Sequence, residues 1–253
     1  MEVVVLASGS KGNSTFIKYK NTKILIDAGI PAVHITRKLE ALNEDPNELD
    51  AILITHTHVD HVKGLRVFLK KRQIPVYITP KMEPEIDIAN PNFVYIRQSQ
   101  LKIKDLTIEV IKTSHDVVDS VGYVVNSEEA GVVYITDTGY INKKYYPVLE
   151  NKDAYIMESN HDVTMLLEGS YPYHLKQRIL NDTGHLSNKD SAKHLSKLVG
   201  NKTKYVVLAH LSEENNTPEK ALETLNETLN HVEKQVDHIM VATQENGTGL
   251  IEV

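Results

Sequence analysis

The densest chemistry in the chain lies in the run Thr55-His56-Thr57-His58-Val59-Asp60-His61. It follows directly on Ala51-Ile52-Leu53-Ile54, an apolar stretch that reads as a buried strand. In extended backbone, His56 and His58 point to one side. Asp60 and His61 come where the chain turns into a helix, so they address the same point from another direction. Three imidazoles and a carboxylate in so short a run repel one another, or lose hydration without return, unless a cation sits among them. The cluster is too rich for one tetrahedral ion with an open position. It suits two divalent ions about 3.5–4 Å apart, an arrangement that serves hydrolysis.

Two ions need further ligands, each expected where an apolar β-run ends. Ser114-His115-Asp116 follows the run ending at Ile111, Asp137 follows Val132-Val133-Tyr134-Ile135, and His210 follows Tyr205–Ala209. Composition narrows the donors. With 12 His and 0 Cys among 253 residues, thiolate zinc sites, iron–sulfur clusters, disulfides and cysteine nucleophiles are excluded. Imidazole and carboxylate remain, which suit Zn²⁺, Mn²⁺ or Fe²⁺.

The elements that must position these groups are short. Candidate strands are Glu2–Leu6, Thr15–Tyr19, Lys23–Asp27, Ala51–Ile54, Val76–Ile78 and Phe93–Ile96, then Leu106–Ile111, Val121–Asn126, Val132–Thr136, Ala154–Met157, Tyr205–Ala209 and His238–Val241. Candidate helices are Ala32–Leu42, Gly64–Lys71, Lys143–Leu149, Tyr173–Asn181, Lys189–Leu198 and Pro218–Gln235, the last opened by a Thr217 cap with proline behind it. Many short strands with helices between them predict an α/β sandwich of two sheets covered by helices, one domain over residues 1–253. No stretch approaches the roughly 20 apolar residues of a membrane span, and Met1–Gly9 lacks the basic start of a signal peptide. The expectation is a cytoplasmic protein with no membrane partner. Oligomeric state stays open.

The ordered set His56-x-His58-x-Asp60-His61, His115, Asp137 and His210 resembles the metal motifs of the metallo-β-lactamase fold superfamily, over the whole chain. Leu6–Ser14, Ile135–Tyr140, Glu158-Ser159-Asn160-His161-Asp162 and Ala209-His210-Leu211-Ser212 resemble the YycJ/WalJ group of small bacterial hydrolases, described as 5′-to-3′ DNA exonucleases. The resemblance implies an αββα sandwich. It implies one ion on His56, His58 and His115, a second on Asp60, His61 and His210, and Asp137 bridging both. Asp27 matches the superfamily's first motif aspartate, with the role of fixing a ligand imidazole by hydrogen bonding. The order of Glu158, Gly184-His185-Leu186-Ser187 and His210 resembles the tRNA 3′-processing branch, where such a pair assists the leaving group. That implies Glu158 orienting His185 as general acid.

The metal set alone does not choose among ester, amide, thioester and phosphodiester. Ser8-Gly9-Ser10-Lys11-Gly12-Asn13-Ser14 could present backbone N–H groups to a phosphate, with Ser10 and Asn13 near the substrate. It carries no Walker or dinucleotide pattern, so a nucleotide cofactor is not expected. Asn160 and His161 are candidates for substrate contact or ligand support, with Asn160 alternatively a helix cap. His34, His174, His194, His231 and His238 lack companions and read as surface or packing residues.

The formal charge of −6 gives no global pull towards nucleic acid. Local tracks must serve: Lys63, Arg66, Lys70, Lys71 and Arg72 in one helix, Lys176 and Arg178 in another. With 0 Trp and 3 Phe, base stacking would fall to tyrosines such as Tyr171 and Tyr173. The leading expectation is a dimetal phosphodiesterase acting on DNA as an exonuclease. The alternatives are a small phosphodiester or phosphonate-ester hydrolase and a thioesterase of glyoxalase II type.

Overall fold

The computed structural model describes residues 1–89 and 91–253. The first half contributes strands β1 (Glu2–Ala7), β2 (Ser14–Tyr19), β3 (Thr22–Ile26), β4 (Ala51–Leu53), β5 (Val76–Ile78) and β6 (Phe93–Tyr95). Its helices are α1 (Ala32–Ala41), α2 (Val59–Val62) and α3 (Leu65–Leu69). The second half contributes β7 (Gln100–Ile103), β8 (Leu106–Lys112), β9 (Val121–Asn126), β10 (Gly131–Ile135), β11 (Ala154–Glu158), β12 (Tyr205–Ala209) and β13 (His238–Val241). Between and after these strands come α4 (Tyr146–Leu149), α5 (Val163–Glu168), α6 (Tyr173–Leu180), α7 (Asn188–Leu198) and α8 (Pro218–His231), and β14 (Ile251–Glu252) closes the chain.

Two 7-stranded sheets result, ordered β14-β1-β2-β3-β4-β5-β6 and β13-β12-β11-β10-β9-β8-β7. Each is half antiparallel and half parallel: β3 to β6 run parallel in the first, β10 to β13 in the second. Alternation along the buried strands shows how the layers stack. In β10, Val132 and Tyr134 join the core shared by both sheets, while Val133 and Ile135 join a second core with Leu195, Leu198, Leu225 and Leu229 of α7 and α8. β11 divides the same way, Ala154 and Ile156 inward, Tyr155 and Met157 outward. On the far side, Ile35, Leu39, Leu65 and Phe68 of α1 and α3 pack with the shared core. This is the expected αββα sandwich. Among the described residues no helix is long and apolar enough to cross a membrane.

Several elements differ from the sequence reading. The helix expected over Lys143–Leu149 is a 3₁₀ turn, Lys143–Tyr145, followed by α4, because Pro147 has no N–H to continue the first turn. α8 stops at His231, not Gln235: Glu233 turns to φ +55° and the Lys234 N–H returns to the Leu229 carbonyl. The helix after the histidine run divides into α2 and α3 around Gly64. Helix α5 had no expectation, and Asp162 caps it through Met165 N, so Asn160 is not the cap. Edge strands β7 and β14 were likewise not expected; they are short and largely polar or exposed.

The expected ligand residues stand at strand ends. Asp27, Asp137 and His210 follow β3, β10 and β12 and all hold left-handed backbone, φ +59°, +56° and +55°. Such conformations are uncommon for residues with a side chain and persist where the surroundings over-determine them. Gly29 lets the β3 turn lie against the histidine loop. Its N–H donates to Asn13 O, and an added Cβ would fall 1.7 Å from Asp60 O. Gly29→Ala should therefore push the Asp60 segment outward, destabilise the fold by about 1–3 kcal/mol and weaken divalent-cation binding with it. Thermal denaturation with and without Zn²⁺ measures both, and an unshifted midpoint would count against this packing account.

Candidate metal centre

Three overlapping groups of ligand-type side chains converge at these strand ends: His56, His58 and His115; Asp60, His61, Asp137 and His210; and Asp137 and His210 again with Glu158 and His185. Asp137 faces the first two, with Oδ2 3.1 Å from His61 Nε2 and Oδ1 3.8 Å from His115 Nε2. All seven expected ligand residues are thus brought together.

Most of the imidazoles are held from behind. His61 Nδ1 donates to Asp27 Oδ2 at 2.7 Å, and His210 Nδ1 donates to Glu158 Oε1 at 3.0 Å. His115 Nδ1 donates to the Gly184 carbonyl at 3.2 Å. The Thr55 hydroxyl lies 3.1 Å from His56 Nδ1. In each case Nε2 is the nitrogen left for the centre. Thr55 also fixes Asp27, giving it hydrogen bonds from N and Oγ1, both 2.8 Å. The buried atoms His56 Nε2, His210 Nε2 and Asp137 Oδ2 have no hydrogen bond among the described residues. Orphaned lone pairs on buried, pre-oriented ligand atoms are costly without a cation. The donor set therefore fits a divalent metal ion.

Charge follows the same logic. Burial, then the neighbouring His61, hold His56 well below the usual histidine range. Burial also lowers His58 and His115. Burial opposes the charge on His210, but Asp137 and hydrogen bonds to Asp60 and Glu158 outweigh it and push that ring up to about 10. In His61 burial is likewise overcome, here by Asp137 and Asp27.

Glu158, the last residue of β11, is fully buried. Oε1 accepts from His185 Nδ1 at 2.7 Å and from His210, and Oε2 accepts from Thr138 N and Leu186 N, both 3.0 Å. Burial raises its pKa, but the His185 charge and these bonds prevail, to about 2. The expected Glu158–His185 pair is present, and the second hold on His210 had no sequence signal.

Other expectations need correction. Most amides of the Ser8–Ser14 loop are already engaged, although Ser10 lines the cavity over the centre. Gly9 N, Lys11 N, Gly12 N and Asn13 N donate to Asn13 Oδ1, Gln244 Oε1, Gly9 O and Asp60 O. Lys11 pairs with Glu213. The loop works inward: Ser8 Oγ accepts from His210 N, and Asn13 Nδ2 lies 3.0 Å from His61 Nε2 and 3.3 Å from Asp60 Oδ2.

A cavity of about 280 Å³ opens over the centre, and Ser10, Asn160, Tyr171, Arg178, His185 and Ser212 are among its lining. Asn160 also donates to the His210 carbonyl at 3.0 Å. His161 is not in that lining. It is buried beside Asn160, and burial lowers it to about 4. Tyr173 is 76% exposed and also outside the lining. Of the basic tracks, Arg66, Lys70 and Arg72 line a separate cavity, Lys176 caps the Leu167 and Gly169 carbonyls, and Arg178 alone reaches the centre. His34, His174 and His231 are exposed, His194 bonds Tyr146, and His238 stacks on Tyr205, as the sequence reading expected.

Residues 22–211 match the beta-lactamase superfamily domain. The chain belongs to that superfamily. It is 40% identical to exodeoxyribonuclease WalJ of Streptococcus pneumoniae over 230 residues, covering 87% of this chain and 85% of that protein. It is 35% identical to exodeoxyribonuclease YycJ of Bacillus anthracis over 231 residues, 89% and 88% of the two chains. The fold matches the metallo-beta-lactamase fold protein YhfI of Bacillus subtilis with a TM-score of 0.73, covering 99% and 98% of the chains at 18% identity.

The charged forms of His61 and His210 are favoured in this centre, so a metal held by these rings would have to displace their protons. Raised pKa values mean that protons compete more strongly as pH falls, so affinity rises with pH. Titration with Zn²⁺ between about pH 6 and 8 should show tightening. Calorimetry in buffers of different ionisation heat should show proton release, and a flat profile would contradict the assignment.

Proposed function

We propose that the chain is a metal-dependent 5′-to-3′ DNA exonuclease, acting as one hydrolase domain over residues 1–253. Similarity along most of its length to two exodeoxyribonucleases carries the choice of DNA as substrate. The cavity of about 280 Å³ opens directly over the ligand cluster, which gives a phosphate of the strand access to it.

In this reading His56, His58 and His115 hold one ion, Asp60, His61 and His210 hold a second, and Asp137 serves both. Zn²⁺, Mn²⁺ and Fe²⁺ all suit this donor set. Bound there, such ions supply Lewis acidity to activate water and offset charge on a phosphoryl oxygen. The protein's own groups do the rest. Asp27, Thr55 and Glu158 keep ligand rings facing inward. Glu158 fixes the His185 Nδ1–H, which leaves Nε2 as the nitrogen that passes a proton to the departing alkoxide. Asn160 and Asn13 steady the His210 and Asp60 segments.

Metal-loaded wild type should release nucleotides from 5′-labelled duplex DNA, and His58→Ala should not. Intact DNA together with turnover of a thioester would move the chain to the thioesterase reading. Cleavage of small phosphodiesters alone would leave a small-substrate phosphodiesterase. His185→Ala should keep its metal and lose roughly 10²–10⁴-fold in rate. Metal loss, read by elemental analysis, would make His185 a ligand instead.

A further inference from the structure

Arg178 is the single Lys or Arg among the described residues that line the metal cavity. It projects from α6, and its Nε donates to Asp116 Oδ2. Among the described residues no hydrogen bond engages Nη1 or Nη2. The other Asp116 oxygen faces the first histidine group, 3.6 Å from His115 Nε2 and 3.9 Å from His58 Nε2. One carboxylate thus stands between the centre and the guanidinium, and it leaves the outer fork of the arginine free. Stability does not explain the pair. The arginine side chain is 57% exposed, exposed ion pairs contribute little, and α6 buries no residue of its own. A planar fork with two unengaged donors suits two oxygens of a phosphate. The same lining carries Ser10, Asn160 and Ser212 and, among the described residues, no lysine.

We propose that Arg178 clamps a phosphate of the substrate strand next to the bond that is cut, and that Asp116 is its positioning residue. The proposal rests on the nuclease reading above and adds the group that holds the strand. Arg178 binds through Nη1 and Nη2, while Asp116 fixes the guanidinium plane through Nε.

The test is fluorescence anisotropy with metal-loaded, full-length protein and a fluorescein-labelled oligonucleotide carrying terminal phosphorothioate linkages, over a salt series. Arg178→Ala should weaken binding on the order of tenfold to a hundredfold. It should also flatten the slope of log affinity against log salt by about 0.7–0.9. Arg178→Lys should keep the slope and lose part of the affinity, because charge remains and the fork does not. Asp116→Asn should weaken binding when Arg178 is present and have little further effect in Arg178→Ala. An unchanged slope in Arg178→Ala overturns the clamp. An Asp116→Asn effect that is as large without Arg178 as with it overturns the positioning role and assigns Asp116 to the histidines. Nucleotide release is followed in parallel. An Arg178-dependent slope without release overturns the exonuclease reading and keeps the clamp. Release with an Arg178-independent slope overturns the clamp alone, and no binding at all overturns both.

Discussion

Glu158 has no contact with solvent, so its charge must be answered by donors from the protein. Four answer it, and they come from different parts of the chain: Thr138 after β10, His185 and Leu186 before α7, and His210 after β12. Removing any one leaves a buried acceptor or ring short of a partner. The carboxylate therefore fixes three loops at once. Two of those loops carry groups of the metal centre, and the third carries the proposed acid. Register between β10, β11 and β12, set by parallel pairing, is what brings the donors within reach.

The centre is also a balance of like and unlike charge. Asp60, Asp137 and Glu158 lie among six imidazoles, those of His56, His58, His61, His115, His185 and His210. Without a cation, His61 and His210 take protons to match the acids, while His56 and His115 are kept neutral by burial. Divalent metal bound there would take the place of those protons. The left-handed turns at Asp27, Asp137 and His210 are the backbone counterpart, held by neighbours that a bound ion would further lock.

Much of this was legible in the sequence because it is local. Runs such as Val132–Ile135 and Tyr205–Ala209 announce strands, and the ligand residue stands directly after each. The histidine run needs only strand and helix geometry to converge. What was not legible depends on partners far apart. The Ser8–Ser14 loop reads as an anion cradle, yet the Asn13 side chain and Gln244 occupy its amides, and no local pattern reveals Gln244 232 residues from Gly12. The Asp116–Arg178 pair spans 62 positions, and the Glu158–His210 bond spans 52. Edge strands β7 and β14 run only 4 and 2 residues, too short for their alternation to announce a strand.

Helix α6 forms part of the cavity wall while burying none of its residues. The reactive floor is different: its ligands hang from strands whose inner faces fill the core. Wall and floor thus rest on different packing, and they meet at few points, chiefly the His185 N–H on the Ile179 carbonyl and the Arg178–Asp116 pair. Changes of shape or charge along α6 can retune which molecule is admitted without repacking the sandwich, whereas the same changes on β10 or β12 would disturb the fold itself. In a scaffold of this kind, substrate choice can diverge between relatives while the hydrolytic apparatus stays fixed.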